Sequence, residues 1–320
     1  MVKKLVYILL LFGLSVAVNA TSFRRDWFLL YGGSSPDRAR RDTLIAERTK
    51  EFESLLKWYQ KQYDFMSTDD TVYTFESEFK FPEGYQRMDS TKISAYANWI
   101  SHFPLWHRWK SVGKWGGTKY YEADRISRAV HLPWINKSFK DYNIPIRLLA
   151  EFLHFQHREF DLKIVPKAGD TLTYEKWLSG KPAYTSHLKF FFKPAPKRDS
   201  SIKEYYQYLE LCKQNTDYRS LTYNCDTVSE NNLNPGDMLI AYDSTNRKGL
   251  VYVILNMFVN KKKEKLYVVA TGCPQACDFY IPLINKDRDY PWLTIGQVKN
   301  LVSGMPISAF FRFKIINEIK

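Results

Sequence analysis

The chain has 320 residues, 45% of them hydrophobic and 16% aromatic, with a formal net charge of +13. That apolar content excludes a disordered or collagenous chain and is enough for one large domain or two modest ones. The charge does not make a nucleic-acid footprint: the densest basic run, Lys261-Lys262-Lys263, has Glu264 beside it and lies between two apolar strands, as a solvated hairpin tip does.

Residues 1–20 read as a secretory signal peptide. Lys3 and Lys4 precede an apolar run from Leu5 to Val18, and Val18-Asn19-Ala20 is a small-residue cleavage site. The run is shorter than the ~20 apolar residues of a spanning helix. No later segment is a transmembrane candidate, so an exported protein, periplasmic or extracellular, with no membrane span after cleavage is expected. Residues 21–70 are expected to form a helical N-terminal extension. In its clearest helix, 43–65, Asp42 caps the start and Ile45, Phe52, Leu55, Leu56, Tyr59 and Tyr63 recur at helical spacing.

The main domain is expected over 71–320. Thr71 to Phe81 alternates like a strand, Pro82-Glu83-Gly84 turns the chain, and Ile93 to Ile100 reads as a short helix. Trp99, Trp106, Trp109 and Trp115 then cluster in sequence. They are candidates for an aromatic ligand wall, set against ordinary core packing. From about Ile144 to His157 a helix carries apolar residues nearly all round, the signature of burial. Asp141 or Asn143 can cap it, Pro145 fits its first turn, and Arg147 and Glu151 stand one turn apart for pairing. A helix from Ile202 to Cys212 follows. Three strands come next, Met238 to Tyr242, Leu250 to Met257 and Leu266 to Thr271, then a helix at Ile295 to Val302 and a strand at Ala309 to Ile315. There is no internal repeat. The fold class expected is α+β: a buried central helix packed on an antiparallel sheet, papain-like in element order, behind a helical N-terminal extension.

The cysteines Cys212, Cys225, Cys273 and Cys277 are disulfide candidates in an oxidising compartment, and four allow three pairings. Cys273 and Cys277 can pair across a tight bend, and Cys212 and Cys225 flank a segment short enough to close. Their spacing does not make a zinc site. Glu151-x-x-His154 has the spacing of carboxylate di-metal bundles but occurs once on its helix, and those bundles need it twice. No metal or cofactor is expected.

A distributed set of anchors carries the strongest signal. Pro82-Glu83-Gly84-Tyr85-Gln86-Arg87 and Phe103-Pro104-Leu105 come first, then Arg147-x-x-Ala150-Glu151-Phe152-Leu153. Trp177-x-x-Gly180, Ser220-Leu221, Gly236-Asp237, Pro274-Gln275-Ala276 and Pro291-Trp292 complete it. In this order and spacing the chain resembles the bacterial DUF4846 family, exported proteins of unknown function, over about residues 80–295. Arg147, Glu151 and Asp237 are its structural candidates.

Two further patterns of that family look like a cysteine-hydrolase site: Gln-Cys-Ala-Asp at the start of the buried helix and Gly-His at the head of the second strand. A helix N-terminus lowers a thiol's pKa and an imidazole takes its proton. This chain departs at both places. The nucleophile position is Asp141, the base position is Leu250, and Ala270 stands where a polar Gln is expected. At a helix start Asp141 is expected to hold a low pKa and make a poor base. The resemblance thus implies a hydrolase-like scaffold without nucleophile or base, a non-catalytic binder of an envelope glycan, peptide or protein. The alternative is a cell-wall or peptide hydrolase with a relocated nucleophile such as Cys273.

Overall fold

The protein is described by a computed structural model covering residues 53–54, 56–63, 66, 73–106, 110–114, 125–135, 138–284 and 286–318. Residues 1–20, the expected signal peptide, together with Trp109 and Trp115, lie outside the described residues. Of the expected 43–65 helix, residues 53–54 and 56–62 are helical.

The first difference from the sequence reading comes at once. The alternation of Thr71 to Phe81 suggested a strand, but Phe75–Glu78 is one turn of helix (α1). Thr74 and Ser77 cap it reciprocally, side chain to backbone in both directions, and that local bonding outweighs the weak alternation. Strand β1 (Tyr85–Arg87) and helix α2 (Ala95–Ser101) follow, the latter capped by Ser94. Then come β2 (Ile126–Ala129) and the central helix α3 (Ile144–Phe155).

Helix α3 is buried as its apolar circumference requires, from Ile144 through Leu153. It starts after a single 3-10 turn at Asp141–Asn143, so neither Asp141 nor Asn143 makes the expected side-chain cap. Asn143 donates instead to the Lys213 carbonyl at 3.2 Å and to Thr216 Oγ1 at 3.3 Å. The helix ends with His157 in the left-handed region, φ 53°. There the Arg158 N–H reaches back to the Leu153 carbonyl at 2.7 Å and closes the last turn.

Two small hairpins come next: β3 (Lys163–Ile164) with β4 (Leu172–Thr173), and, after α4 (Tyr174–Ser179), β5 (Gly180–Tyr184) with β6 (Phe190–Pro194). Helices α5 (Ile202–Gln214) and α6 (Tyr218–Tyr223) lead into β7 (Cys225–Thr227), β8 (Met238–Tyr242), β9 (Gly249–Asn260), β10 (Lys265–Thr271) and β11 (Tyr280–Pro282). Helix α7 (Ile295–Asn300), β12 (Ile307–Phe313) and α8 (Lys314–Glu318) end the described chain. The final strand therefore stops two residues before the expected Ile315 and turns directly into a helix.

The main sheet runs β2-β11-β10-β9-β8-β12-β7, with β1 added along the far half of β9, and every pairing in it is antiparallel. The fold is mixed α and β, with helices on both faces of this sheet. Val251, Val253, Val268 and Ala270 join the larger core with α2 and α3, whereas Ala241, Ile254, Tyr267 and Val269 join a smaller one with Val298 of α7. Successive residues face opposite sides of a strand, so this division fixes where each side chain on β9 can reach. A bulge opposite Val268 and Val269 shifts the register of β9 near Asn256. The buried amide of Asn256 is satisfied there: it donates to the Ser101 carbonyl at 2.9 Å and accepts from the Met257 N–H at 3.0 Å.

Candidate functional site

The start of α3 does lie against the head of β9, but the two expected positions do not face each other. Leu250 is half-buried and packs on the smaller core, with its cross-strand partner Ala241, on the side of the sheet away from α3. A side chain at 250 points away from Asp141, so the structure does not bring the two expected positions together. Ala270 is fully buried in the larger core and lines no opening.

Asp141 is 1% exposed. Its Oδ1 accepts from the Tyr218 hydroxyl at 2.9 Å and from the Tyr142 N–H at 3.0 Å. Its Oδ2 is buried with no hydrogen-bond partner. Its own N–H donates to the Cys273 carbonyl at 3.2 Å. Asp141 thus closes a sheet edge where β10 has ended. Burial pushes its pKa from 3.8 up to about 7, against those hydrogen bonds. The expectation of a low pKa was wrong because desolvation outweighs the helix terminus.

Tyr218 fills the space beside it. A Cβ on Gly249 would stand 2.6 Å from the Tyr218 ring and 2.8 Å from the Ala241 carbonyl, so the phenol lies directly on bare backbone. Tyr142 meets Tyr218 edge to face at 4.7 Å between centroids. Two tyrosines therefore pack together in the space between the start of α3 and the head of β9.

The cysteines divide cleanly. Cys273 and Cys277 form a disulfide, with Cα atoms 5.4 Å apart. Cys212 and Cys225 are free and buried, which corrects the expectation that they are disulfide candidates. Cys212 sits inside the α5 packing, and burial pushes its thiol up to about 12. Cys225 Sγ bonds back to the Leu221 carbonyl at 3.3 Å, and burial raises its pKa as well. Neither is an activated nucleophile, and the relocated nucleophile considered at Cys273 is held as a disulfide.

Of the four expected wall residues, the two described ones, Trp99 and Trp106, lie in separate places. Trp106 packs beside the disulfide and lies 3.7 Å from the His131 ring centroid. Trp99 lines a separate cavity of about 220 Å³, together with Gln62, Tyr63, Trp134, Glu151, His154, Phe155 and His157. Trp99 and Trp134 are nearly parallel, 3° between planes and 6.4 Å between centroids. Trp99 is anchored to the N-terminal helix: its Nε1 donates to the Gln62 carbonyl at 3.3 Å, and Tyr63 donates its hydroxyl to the Trp99 carbonyl at 2.7 Å. Arg147 pairs with Glu151 one turn on, as their spacing predicts, and its guanidinium lies 5.7 Å from the Trp134 ring centroid. His154 Nδ1 is bonded to Glu159 at 2.6 Å. Sequence reasoning missed Trp134, an isolated aromatic after Pro133, and the part played by Tyr63; neither carries a periodic or motif signal.

Asp237 is tied into the fold by hydrogen bonds. Both its oxygens are bonded to Arg312 at 2.7 Å, and Oδ2 also accepts from the Asn234 N–H. The preceding Gly236, φ 89°, leaves no room for a Cβ, which would stand 2.6 Å from Tyr96. Other anchors of the sequence pattern are likewise architectural. Trp292 is buried and donates to the Lys80 carbonyl, and Ser220 completes the cap of α6. Among the described residues no three His, Cys, Asp or Glu side chains converge as metal ligands, and no helix is long and apolar enough to cross a membrane.

A family model described as a domain of unknown function (4846) matches residues 75–314, a span that holds Trp99, Trp134, Glu151 and His154 but not Gln62 or Tyr63. Neither the curated proteins nor the solved structures include a match to the chain. With three quarters of its length under that model, the chain belongs to the DUF4846 family.

Proposed function

We propose that this is an exported envelope protein on a papain-like, hydrolase-derived scaffold that binds without catalysing. It holds an envelope glycan, peptide or protein in the cavity between the N-terminal helix, α2 and α3. The observation that carries the reading is that cavity: two near-parallel tryptophans with a carboxylate and an imidazole beside them. The filled position at the start of α3 supports it, since Asp141 is covered by Tyr218 and no proton-transferring side chain faces it from β9. Export is supported by the charged and apolar leader and by the Cys273–Cys277 disulfide.

The test is retention of the purified mature protein on an envelope fraction of its own source, with Trp134→Ala as the variant. Trp134 is only partly buried, so its removal spares most of the core. Retention lost at an unchanged melting temperature supports the reading. Retention untouched by the substitution removes the cavity as the site.

A further inference from the structure

We infer that the cavity takes a single sugar ring at the free end of a glycan, and that Tyr63 helps to set this end-on size limit. The inference rests on the binding reading above and narrows it to one ligand chemistry.

Size comes first. At about 220 Å³ the cavity is smaller than the ~300–1,000 Å³ of pockets that enclose drug-sized ligands, which leaves room for one ring and not for a chain. Tyr63, 2% exposed and stacked beside Tyr59, is one of the walls that limit it, and it is bonded in place through the Trp99 carbonyl.

Chemistry then separates the candidates. The walls are aromatic: Tyr63, Trp99, Trp134 and Phe155. A pyranose lays a C–H face on such rings and projects hydroxyls at its edge. Hydrogen-bonding groups wait there. His154 has Nδ1 engaged by Glu159, which leaves Nε2 for a ligand hydroxyl, while Glu151 is held by Arg147 in the same wall. A purely apolar side chain would fill the same walls but strip the partly exposed His154 of water without replacing it, which is costly. A cationic head group would suit the tryptophan faces, but the Glu151 charge is already spent on Arg147, whose own positive charge lies beside Trp134. The sugar ring satisfies both halves of the lining.

The full mature protein is titrated with glucose, galactose, N-acetylglucosamine and the β-1,4-linked di- and trisaccharides of the last, reading tryptophan fluorescence and calorimetry. Tetramethylammonium and leucinamide serve as the cationic and apolar probes. At least one monosaccharide is expected to saturate the protein, with the trisaccharide binding within about threefold of it, because a second ring finds no wall. Trp134→Ala should weaken binding at least about tenfold, as loss of a central stacking aromatic does, with Trp134→Phe recovering part of it. Tyr63→Ala, which removes that wall, should let the trisaccharide bind clearly more tightly than the monosaccharide, whereas Tyr63→Phe, which keeps the ring, should leave the ratio unchanged; an unchanged ratio in a folded Tyr63→Ala overturns the role given to Tyr63. Saturable binding of tetramethylammonium or leucinamide and of no sugar overturns the inference, as does affinity that climbs steeply with chain length. If envelope retention still depends on Trp134 in that case, the binding reading stands and only the ligand class falls.

Discussion

Tyr218 reaches the Asp141 carboxyl with its hydroxyl at 2.9 Å across 77 residues of sequence, while its ring covers the bare backbone of Gly249. This one contact joins the start of α3, the start of α6 and the head of β9. It leaves a buried acid hydrogen-bonded to a phenol at the start of α3. The pairing makes a joint in the scaffold, and the physics of that joint is testable.

The Asp141 carboxyl should make stability depend on pH. Its folded pKa, about 7, lies above the ordinary 3.8, so the folded state binds more protons than the unfolded state between those values. Its stabilising contribution is complete below pH ~4, declines as pH rises, and is gone above ~7; the interval corresponds to at most about 4 kcal/mol. Denaturant unfolding at pH 4.5 and 7.5 should show Asp141→Asn losing much less stability than the natural protein across that range. Parallel pH profiles for the two proteins would show that Asp141 does not titrate in this window.

Gly249→Ala should destabilise the protein by about 2–4 kcal/mol, because the new methyl meets both the Tyr218 ring and the Ala241 carbonyl, and the backbone cannot retreat. The same substitution in a Tyr218→Ala background should cost markedly less than on its own, since half of the clash has gone. Thermal unfolding of the four proteins completes the cycle. Strict additivity would mean that the phenol does not lie on Gly249.

The long-range architecture was legible where periodicity and burial agree. Met238–Tyr242 was bounded correctly, and β9 and β10 to within a few residues, because a strand buried on both faces reads as a continuous apolar run. The same property hid which face each residue uses. With no polar alternation, Leu250 could not be told from Val251 as the residue on the α3 side. Thr71 to Phe81 failed for the opposite reason: a four-residue cap motif outweighed a weak alternation. The cavity was half legible. Trp99 and the Arg147–Glu151 pair were readable from composition and spacing, but Trp134 and Tyr63 join them only through tertiary packing, which leaves no local pattern.

Asp237 and Arg312 form a two-point ion pair between the start of β8 and the end of β12, with the carboxylate side chain 2% exposed and the guanidinium 20%. Removing one partner should therefore leave a buried charge. Arg312→Met is expected to cost about 3–5 kcal/mol, whereas the double substitution with Asp237→Leu should recover a large part of it. Equal losses in the single and double variants would show that the pair is solvated and contributes little.

The four cysteines give the last prediction, and it bears directly on catalysis. Cys212 and Cys225 are buried and free, with their thiols pushed up by desolvation, so neither supplies thiolate at neutral pH. Cys273 and Cys277 are joined. Native protein treated with iodoacetamide should therefore show no labelled cysteine by mass spectrometry. Denaturation without reductant should expose two labels, at Cys212 and Cys225, and denaturation with reductant four. A single label on the native protein would identify a thiol more reactive than this packing allows, and it would return the hydrolase reading to the front with its nucleophile named. The position of the two labels in denaturant, on Cys212 and Cys225, distinguishes this pairing: a bridge between those two would leave either no free thiol or labels on Cys273 and Cys277 instead.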